Sequence, residues 1–174
     1  AVGRGAADRR IDVIAATMAK GGTLEDLADT DLCYAPPFAA AKDAVHLAGL
    51  AGLNLLHGEY RQIPASAVRG LAEAGAAILD VRERGEYEAG HIRGAVNVPL
   101  SELRERLGEL PKDRPLYLHC RSGQRSYYAC RILAARGFRD VYNIAGGFLA
   151  VCHEEYIPDR LTGRAPIVTA YNFN

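Results

Sequence analysis

Leu116-Tyr117-Leu118-His119-Cys120-Arg121-Ser122-Gly123-Gln124-Arg125-Ser126 decides how this chain is read. Four residues of apolar or strand-favouring character run into a polar loop, and residues 127–136 then carry apolar side chains at helical spacing. The pattern predicts a strand, a tight loop and a helix N-terminus. A cysteine placed there meets several backbone N–H groups and the positive end of a helix dipole, with Arg121 and Arg125 close behind it. Those effects lower a thiol pKa, and the thiolate is the nucleophilic form. Gly123 gives the loop backbone angles that a side chain would forbid. With Arg121, Ser122, Gln124 and Ser126 it forms a candidate cradle for an anion carried on the sulfur of Cys120, and Arg125 is the candidate cation that favours the charged form.

Working outward, neighbouring strand residues point to opposite faces, so His119 is expected as a packed strand histidine and not as a base for Cys120. Cys33, Cys130 and Cys152 lack such a loop and are expected as small buried hydrophobes. Residues 65–74 show helical spacing at Val68, Leu71 and Ala72, closed by Gly75. Residues 78–81 and 140–144 read as buried strands, and Ala129, Ile132 and Leu133 form one face of the helix after the loop, which Gly137 ends. Strands alternating with helices imply an α/β fold with a parallel sheet. In such a sheet Asp80, Cys120 and the Gly146-Gly147 turn all follow apolar runs in the same sense, so they gather at one edge, where ligands bind. Asp80 and Arg82 are expected to support the site by fixing its loops.

Four motifs in one order carry a resemblance. Asp80-Val81-Arg82 with Glu86-Tyr87, then residues 90–99 (Gly-His-Ile-Arg-Gly-Ala-Val-Asn-Val-Pro), then the Cys120 loop, then Ala145-Gly146-Gly147-Phe148 resemble the rhodanese (sulfurtransferase) domain over about 63–157. The resemblance implies a rhodanese-like parallel sheet flanked by helices, with His91 and Asn97 in structural positions. It also bears on chemistry. Phosphatases of that fold resemble other cysteine phosphatases in needing Cys-x5-Arg, whereas Cys120 and Arg125 are spaced Cys-x4-Arg, which suits a persulfide sulfur better than a phosphoryl group.

The first 57 residues resemble something else. Tyr34-Ala35-Pro36-Pro37 followed by Lys42-Asp43, with residues 3–14 similar to the strand and helix that precede such a turn, looks like the end of the dimerisation domain of flavin-dependent pyridine nucleotide-disulfide oxidoreductases, in particular the CoA-disulfide reductase group. That resemblance implies a role for Tyr34 at the partner subunit's disulfide-reducing site, against which stands a tyrosine merely packed by its turn. No G-x-G-x-x-G follows a strand, and the chain opens on Ala1, so it is expected to be the C-terminal piece of a longer reductase. FAD, NAD(P)H and coenzyme A are implied for that parent, and none for this fragment. The expected organisation is a partial, mostly helical dimerisation domain at 1–57, a linker at 58–62, the rhodanese-like domain at 63–157 and a tail at 158–174 to which no function is attached.

Local signals fill in the first part. Asp8 is a candidate cap for a helix with Ile11, Ile14, Ala15 and Met18 on one face, stopped at Gly21-Gly22. Thr23 to Asp26 reads as a capping box. Residues 44–56 read as a buried helix, yet Val45, Leu47, Leu50, Leu53 and Leu56 need a partner surface, either the rhodanese-like unit or a second chain, and the resembled dimerisation domain favours a homodimer.

Composition sets outer limits. The formal net charge is zero, with 49% apolar and 24% charged residues, which argues against nucleic acid or an anionic membrane as a partner held by bulk charge. Four cysteines without paired spacing suggest a reducing, cytoplasmic setting. No Cys-x-x-Cys or His-x-x-x-His supports a metal. The expected chemistry is sulfur transfer from a sulfane donor to a thiol acceptor through a persulfide on Cys120. The rivals are a non-catalytic dimerisation or docking module and a rhodanese-fold phosphatase.

Overall fold

The computed structural model describes residues 6–37 and 40–173. The chain divides into two compact units, Ala1–Glu59 and Tyr60–Asn174.

The first unit is helical: α1 (Ala7–Ala19), α2 (Leu24–Asp29) and α3 (Ala44–Leu56). Ala6 takes the cap position of α1 and Asp8 lies inside the first turn, where its charge meets the dipole; it is not the cap expected from sequence. Residues 3–5, where the resembled strand begins, lie outside the described residues. The Thr23 capping box forms as expected, with Asp26 as its second member. Asp43 caps α3 and holds Arg10 at 2.8 Å, and the guanidinium with the Val45 amide keeps its carboxyl down at about 2. His46 accepts from the Asp43 amide at 3.0 Å and donates to the Thr30 carbonyl at 2.7 Å, which fixes its tautomer. Helices α2 and α3 touch closely at Gly49, where a Cβ would stand 2.8 Å from the Ala28 nitrogen.

Helix α3 is not buried all round. Val45, His46 and Gly49 are buried, but Leu47, Leu50, Leu55 and Leu56 are exposed. Cys33, expected in a core, is exposed.

The second unit contains β1 (Arg61–Ile63), a 3-10 turn at Ala65–Ala67, α4 (Val68–Glu73), β2 (Ala77–Asp80), α5 (Arg84–Glu88), β3 (Val96–Asn97), β4 (Leu116–His119), α6 (Gln124–Ala135), β5 (Val141–Ile144) and α7 (Gly147–Thr162). The five strands lie in the order β1-β5-β4-β2-β3, all parallel. Arg61 and Gln62, expected in a linker, instead pair with Tyr142 and Asn143 as the edge strand.

Strand alternation sorts the core into two layers. Leu79, Leu116, Leu118 and Val141 pack with Ala129, Cys130 and Leu133 of α6, while Ile78 and Ile144 pack with Val68 of α4 and Phe148, Val151 and Cys152 of α7. Because every strand runs the same way, the C-terminal ends of β2, β4 and β5 share one edge.

Residues 158–174 are only partly a tail. Helix α7 continues through Pro158 to Thr162, forfeiting one backbone bond at the proline. Ile167 and Val168 then enter the second core layer, bridging to Ile92. Arg69 and Arg164 clamp the buried Glu155 and Asp159, and the Tyr171 hydroxyl donates to Asp159. Arg69 and Ile92 meet this segment from far away in sequence, so no local pattern announces those contacts.

Candidate active site

Cys120 directly follows β4 and is only 1% exposed. Its Sγ accepts from the Gly123 amide at 3.1 Å and lies 3.5 Å from Ser126 Oγ. Burial pushes the thiol pKa up, but the Ser126 hydroxyl and the amides of Ser126, Gly123 and Ser122 outweigh it, and the net direction is down. A buried sulfur surrounded by donors is poised to carry negative charge.

The loop holds this shape because its carbonyls are taken from behind. The Phe148 amide donates to the Cys120 carbonyl at 2.8 Å and the Leu149 amide to the Arg121 carbonyl at 3.0 Å. These are free donors of the first turn of α7, and with the carbonyls turned toward them the loop amides are left for the sulfur. Gly147 makes the approach possible: its φ is +60° and a Cβ there would stand 2.5 Å from the Cys120 oxygen. Gly123 sits at φ +104°, and its carbonyl accepts from Asn143 Nδ2, Ser126 Oγ and the Tyr127 amide. Ser126 therefore has one proton and two acceptors, Sγ and the Gly123 carbonyl.

Arg125 forms a two-pronged pair with Glu86 of α5, both contacts at 2.7 Å, and Glu86 first and the Cys120 sulfur after it favour its charged form. Glu86 raises the Arg125 pKa, and Arg125 lowers that of Glu86. The arginine is thus a fixed cation beside the sulfur. Arg121, Ser122 and Gln124 are exposed on the rim, with Gln124 donating to the Tyr128 hydroxyl.

Asp80 and Arg82 form a buried pair at the same edge. Arg82 donates through Nε and Nη2 to the Asp80 carboxylate and through Nη2 to the Gly90 carbonyl, while its guanidinium lies 4.2 Å above the Phe148 ring. Asn97 braces the turn by donating to the carbonyls of Asp80 and Arg82. His119 is fully buried on the face shared with Asp80. Its Nδ1 lies 3.3 Å from the Cys120 carbonyl, its Nε2 has no hydrogen-bond partner, and burial drives its pKa down despite Asp80. His91 stacks on Tyr87 and bonds its carbonyl.

The structure thus brings Cys120, Arg121, Ser122, Gly123, Gln124, Arg125, Ser126, Asp80 and Arg82 to one edge. Tyr34 belongs to the other unit, where it is 53% exposed. Sequence reasoning did not assign roles to Glu86, Asn143 or the amides of Phe148 and Leu149. The available signal was that Glu86 and Phe148 both fall inside the ordered motifs.

Residues 64–154 match the family model described as Rhodanese-like domain. The chain belongs to the rhodanese-like family. It is 36% identical to the thiosulfate sulfurtransferase GlpE of Pseudomonas fluorescens over 90 residues, covering 52% of this chain and 83% of that protein. The structure of reduced CoADR-RHD from Bacillus anthracis is similar with a TM-score of 0.81 and 39% identity, over 88% of this chain and 27% of that one. A NAD-dependent persulfide reductase from A. fulgidus is similar with a TM-score of 0.71 and 34% identity, over 86% of this chain and 26% of that one. Two curated relatives from Bacillus subtilis are spanned over 58% and 38% of their length. The rhodanese-like unit carries the Cys120 loop.

Among the described residues no group of His, Cys, Asp or Glu is arranged to hold a metal ion, and no helix is long and apolar enough to cross a membrane.

Proposed function

We propose that this chain transfers sulfane sulfur through a persulfide on Cys120. One observation carries the reading: a 1%-exposed sulfur held by the Gly123 amide, by Ser126 and by two further loop amides, with Arg125 fixed beside it. The Cys-x4-Arg spacing and the sulfurtransferase and persulfide reductase names borne by similar proteins support it.

The Cys120 thiolate attacks the outer sulfur of a donor such as thiosulfate, a polysulfide or a persulfide. A new S–S bond forms, and the donor's bond to that sulfur breaks with its electron pair leaving on the donor anion. The loop amides and Arg125 stabilise the terminal sulfur anion now held by the chain. An acceptor thiolate then attacks that sulfur, and the electron pair of the broken bond returns to Cys120. Two half-reactions with a covalent intermediate give ping-pong kinetics.

The likeness to two much longer chains supports a wider context. In it, the first unit is the end of a reductase dimerisation domain, the parent is a cytoplasmic homodimer using FAD and NAD(P)H, and the acceptor is coenzyme A or the reductase's own cysteine. The exposed leucines of α3 are the face a second copy would cover, and Tyr34 would reach the partner's reducing site. No residue of this chain is assigned to the flavin or the nicotinamide.

Intact mass before and after a sulfane donor tests the reaction. A gain of one sulfur, about 32 Da, that requires Cys120 and leaves as thiocyanate on adding cyanide is the expected result. Wild-type protein that gains no sulfur from thiosulfate, polysulfide or a persulfide overturns it and favours a docking role.

A further inference from the structure

The family match ends at residue 154, yet residues 163–173 return along the elements that build the site. Three groups of contacts hold this segment. Arg164 pairs with Glu155 and Asp159 of α7, and Arg69, on the same two carboxylates, also donates to the Ala165 carbonyl at 3.3 Å. At the far end the Tyr171 hydroxyl returns to Asp159, and Phe173 packs edge-on against Tyr156. Between those anchors the segment bridges antiparallel to residues 91–93. The Arg93 amide donates to the Ile167 carbonyl at 2.7 Å, the Thr169 amide to the His91 carbonyl at 2.8 Å, and the His91 amide to Thr169 Oγ1 at 3.0 Å. Ile92 and Val168, which pair there, are both buried.

Gly90 stands between this segment and the site. On one side, a Cβ at Gly90 would lie 2.7 Å from the Ala170 carbonyl oxygen, so the two backbones pass too close for a side chain. On the other, the Gly90 carbonyl accepts from Arg82 Nη2 at 2.7 Å. Arg82 is buried and holds Asp80 as well, its guanidinium lies 4.2 Å above the Phe148 ring, and the Phe148 amide donates to the Cys120 carbonyl at 2.8 Å. Gly90, Arg82, Phe148 and Cys120 are all buried and touch in that order, so a displacement of Gly90 is passed on rather than absorbed.

We propose that residues 163–173 form a strap that positions Arg82 and, through Phe148, the Cys120 loop. Its members are positioning residues, acting through Gly90. The clamp of Arg69 and Arg164 on Glu155 and Asp159 fixes the end from which the strap sets off, and Tyr171 fixes the other. The competent unit therefore runs past the family match to residue 173. The consequence for turnover rests on the sulfur-transfer reading given above; the consequences for the Cys120 thiol and for Arg82 do not.

Two strap variants of the whole chain test this, and each leaves the Cys120 loop itself unaltered. Thr169→Val keeps the side-chain shape and removes the acceptor of the His91 amide. Arg164→Gln combined with Tyr171→Phe loosens both anchors on Asp159. Gly75→Ala, in the turn before β2 and with nothing within 4 Å of its would-be Cβ, is the control for lost stability alone. Alkylation of Cys120 by iodoacetamide is followed across pH by the mass of the peptide that carries it, alongside the Arg82 Nε–H signal by NMR and urea unfolding. A full ångström at a reacting atom costs about 100-fold, so a shift of a few tenths is expected to slow alkylation at neutral pH about fivefold in both strap variants. The reactivity midpoint is expected to move to higher pH and the Arg82 signal to be displaced, with neither change in Gly75→Ala.

Strap variants that unfold earlier but keep the wild-type Cys120 profile and Arg82 signal overturn the proposal, since the strap then braces the fold alone. If the double variant does not fold, Thr169→Val decides. Thiocyanate release by the same proteins tells the two readings apart. A wild type that never loads sulfur, with a Cys120 profile that moves in the variants, sinks the sulfur-transfer reading and keeps the strap; normal loading with an unmoved profile does the reverse.

Discussion

Replacing Gly147 by alanine isolates how the first turn of α7 shapes the nucleophile loop. The added Cβ would stand 2.5 Å from the Cys120 oxygen and 2.8 Å from the carbonyl carbon and oxygen of Arg121, all backbone atoms. To reach ordinary contact at 3.4 Å the loop and helix must part by about 0.9 Å. That separation stretches the bonds from the Phe148 amide to Cys120 and from the Leu149 amide to Arg121, 2.8 and 3.0 Å in the native chain. Two weakened hydrogen bonds at about 1 kcal/mol each, plus about 1–2 kcal/mol for a side chain at positive φ, give about 3–4 kcal/mol of lost stability. A displacement near 1 Å at the reacting atom costs about 100-fold in rate. Gly75→Ala supplies the control. Gly75 sits at φ +68° with nothing within 4 Å of its would-be Cβ, so only the backbone strain of about 1–2 kcal/mol applies. Urea unfolding and cyanide-dependent thiocyanate release, measured well below both unfolding midpoints, separate the two effects. If Gly147→Ala matches Gly75→Ala in stability and keeps turnover within about threefold of wild type, the argument that Gly147 holds the loop is refuted.

Three further outcomes follow from the same geometry. Ser126→Ala removes a donor worth about 1 kcal/mol to the Cys120 thiolate, so its alkylation by iodoacetamide at neutral pH slows about fivefold and the reactivity midpoint moves to higher pH; an unchanged rate means that the single hydroxyl proton goes to the Gly123 carbonyl instead. Glu86→Gln releases Arg125 from its two-pronged partner, so persulfide loading slows about tenfold while the unfolding free energy changes by no more than about 1 kcal/mol, since both side chains are about a third exposed. Asp43 is expected to titrate near 2 by carboxyl NMR, against an ordinary 3.8; its pKa is depressed by folding, so its contribution is present above the ordinary value and is lost as pH falls through about 2. Arg10→Gln should bring that midpoint back up, and a midpoint already at the ordinary value in the wild type counts against the pair.

The readable and unreadable parts of this chain divide by the range of the interaction involved. The sheet was legible because each central strand is a short apolar run, and parallel alternation places Leu79, Leu116, Leu118 and Val141 on one face without any knowledge of partners. The Cys120 loop was legible because its donors lie within six residues of the sulfur. Period two also places Asp80, Arg82 and His119 on the opposite face, so the buried Asp80 and Arg82 pair needed only the strand to be read correctly. Glu86 and Arg125 are 39 residues apart in sequence, and Asn143 and Gly123 are 20 apart. Nothing in either local pattern says that these side chains meet, because their meeting depends on which strands are neighbours.

The same distinction explains where the expectations missed. Arg61 and Gln62 lack an apolar run and read as linker, yet an edge strand needs only one neighbour and can be half solvent-exposed, so β5 suffices to order them. Ile167 and Val168 sit in a polar, glycine- and proline-containing stretch, and their burial depends on Ile92 and on the clamp that Arg69 and Arg164 make on Glu155 and Asp159. Helix α3 is the converse case. A helix apolar on every side reads as buried, and that reading assumes cover on every side. In the first unit α2 packs on the face carrying Val45, His46 and Gly49, and Leu47, Leu50 and Leu56 remain exposed. The sequence therefore reports a burial that the described residues do not complete. That mismatch is the physical argument for a second copy: if it is right, Leu47→Glu with Leu50→Glu gives a monomer by light scattering where the wild type gives a dimer, and a wild-type chain that stays monomeric at high micromolar concentration removes the argument.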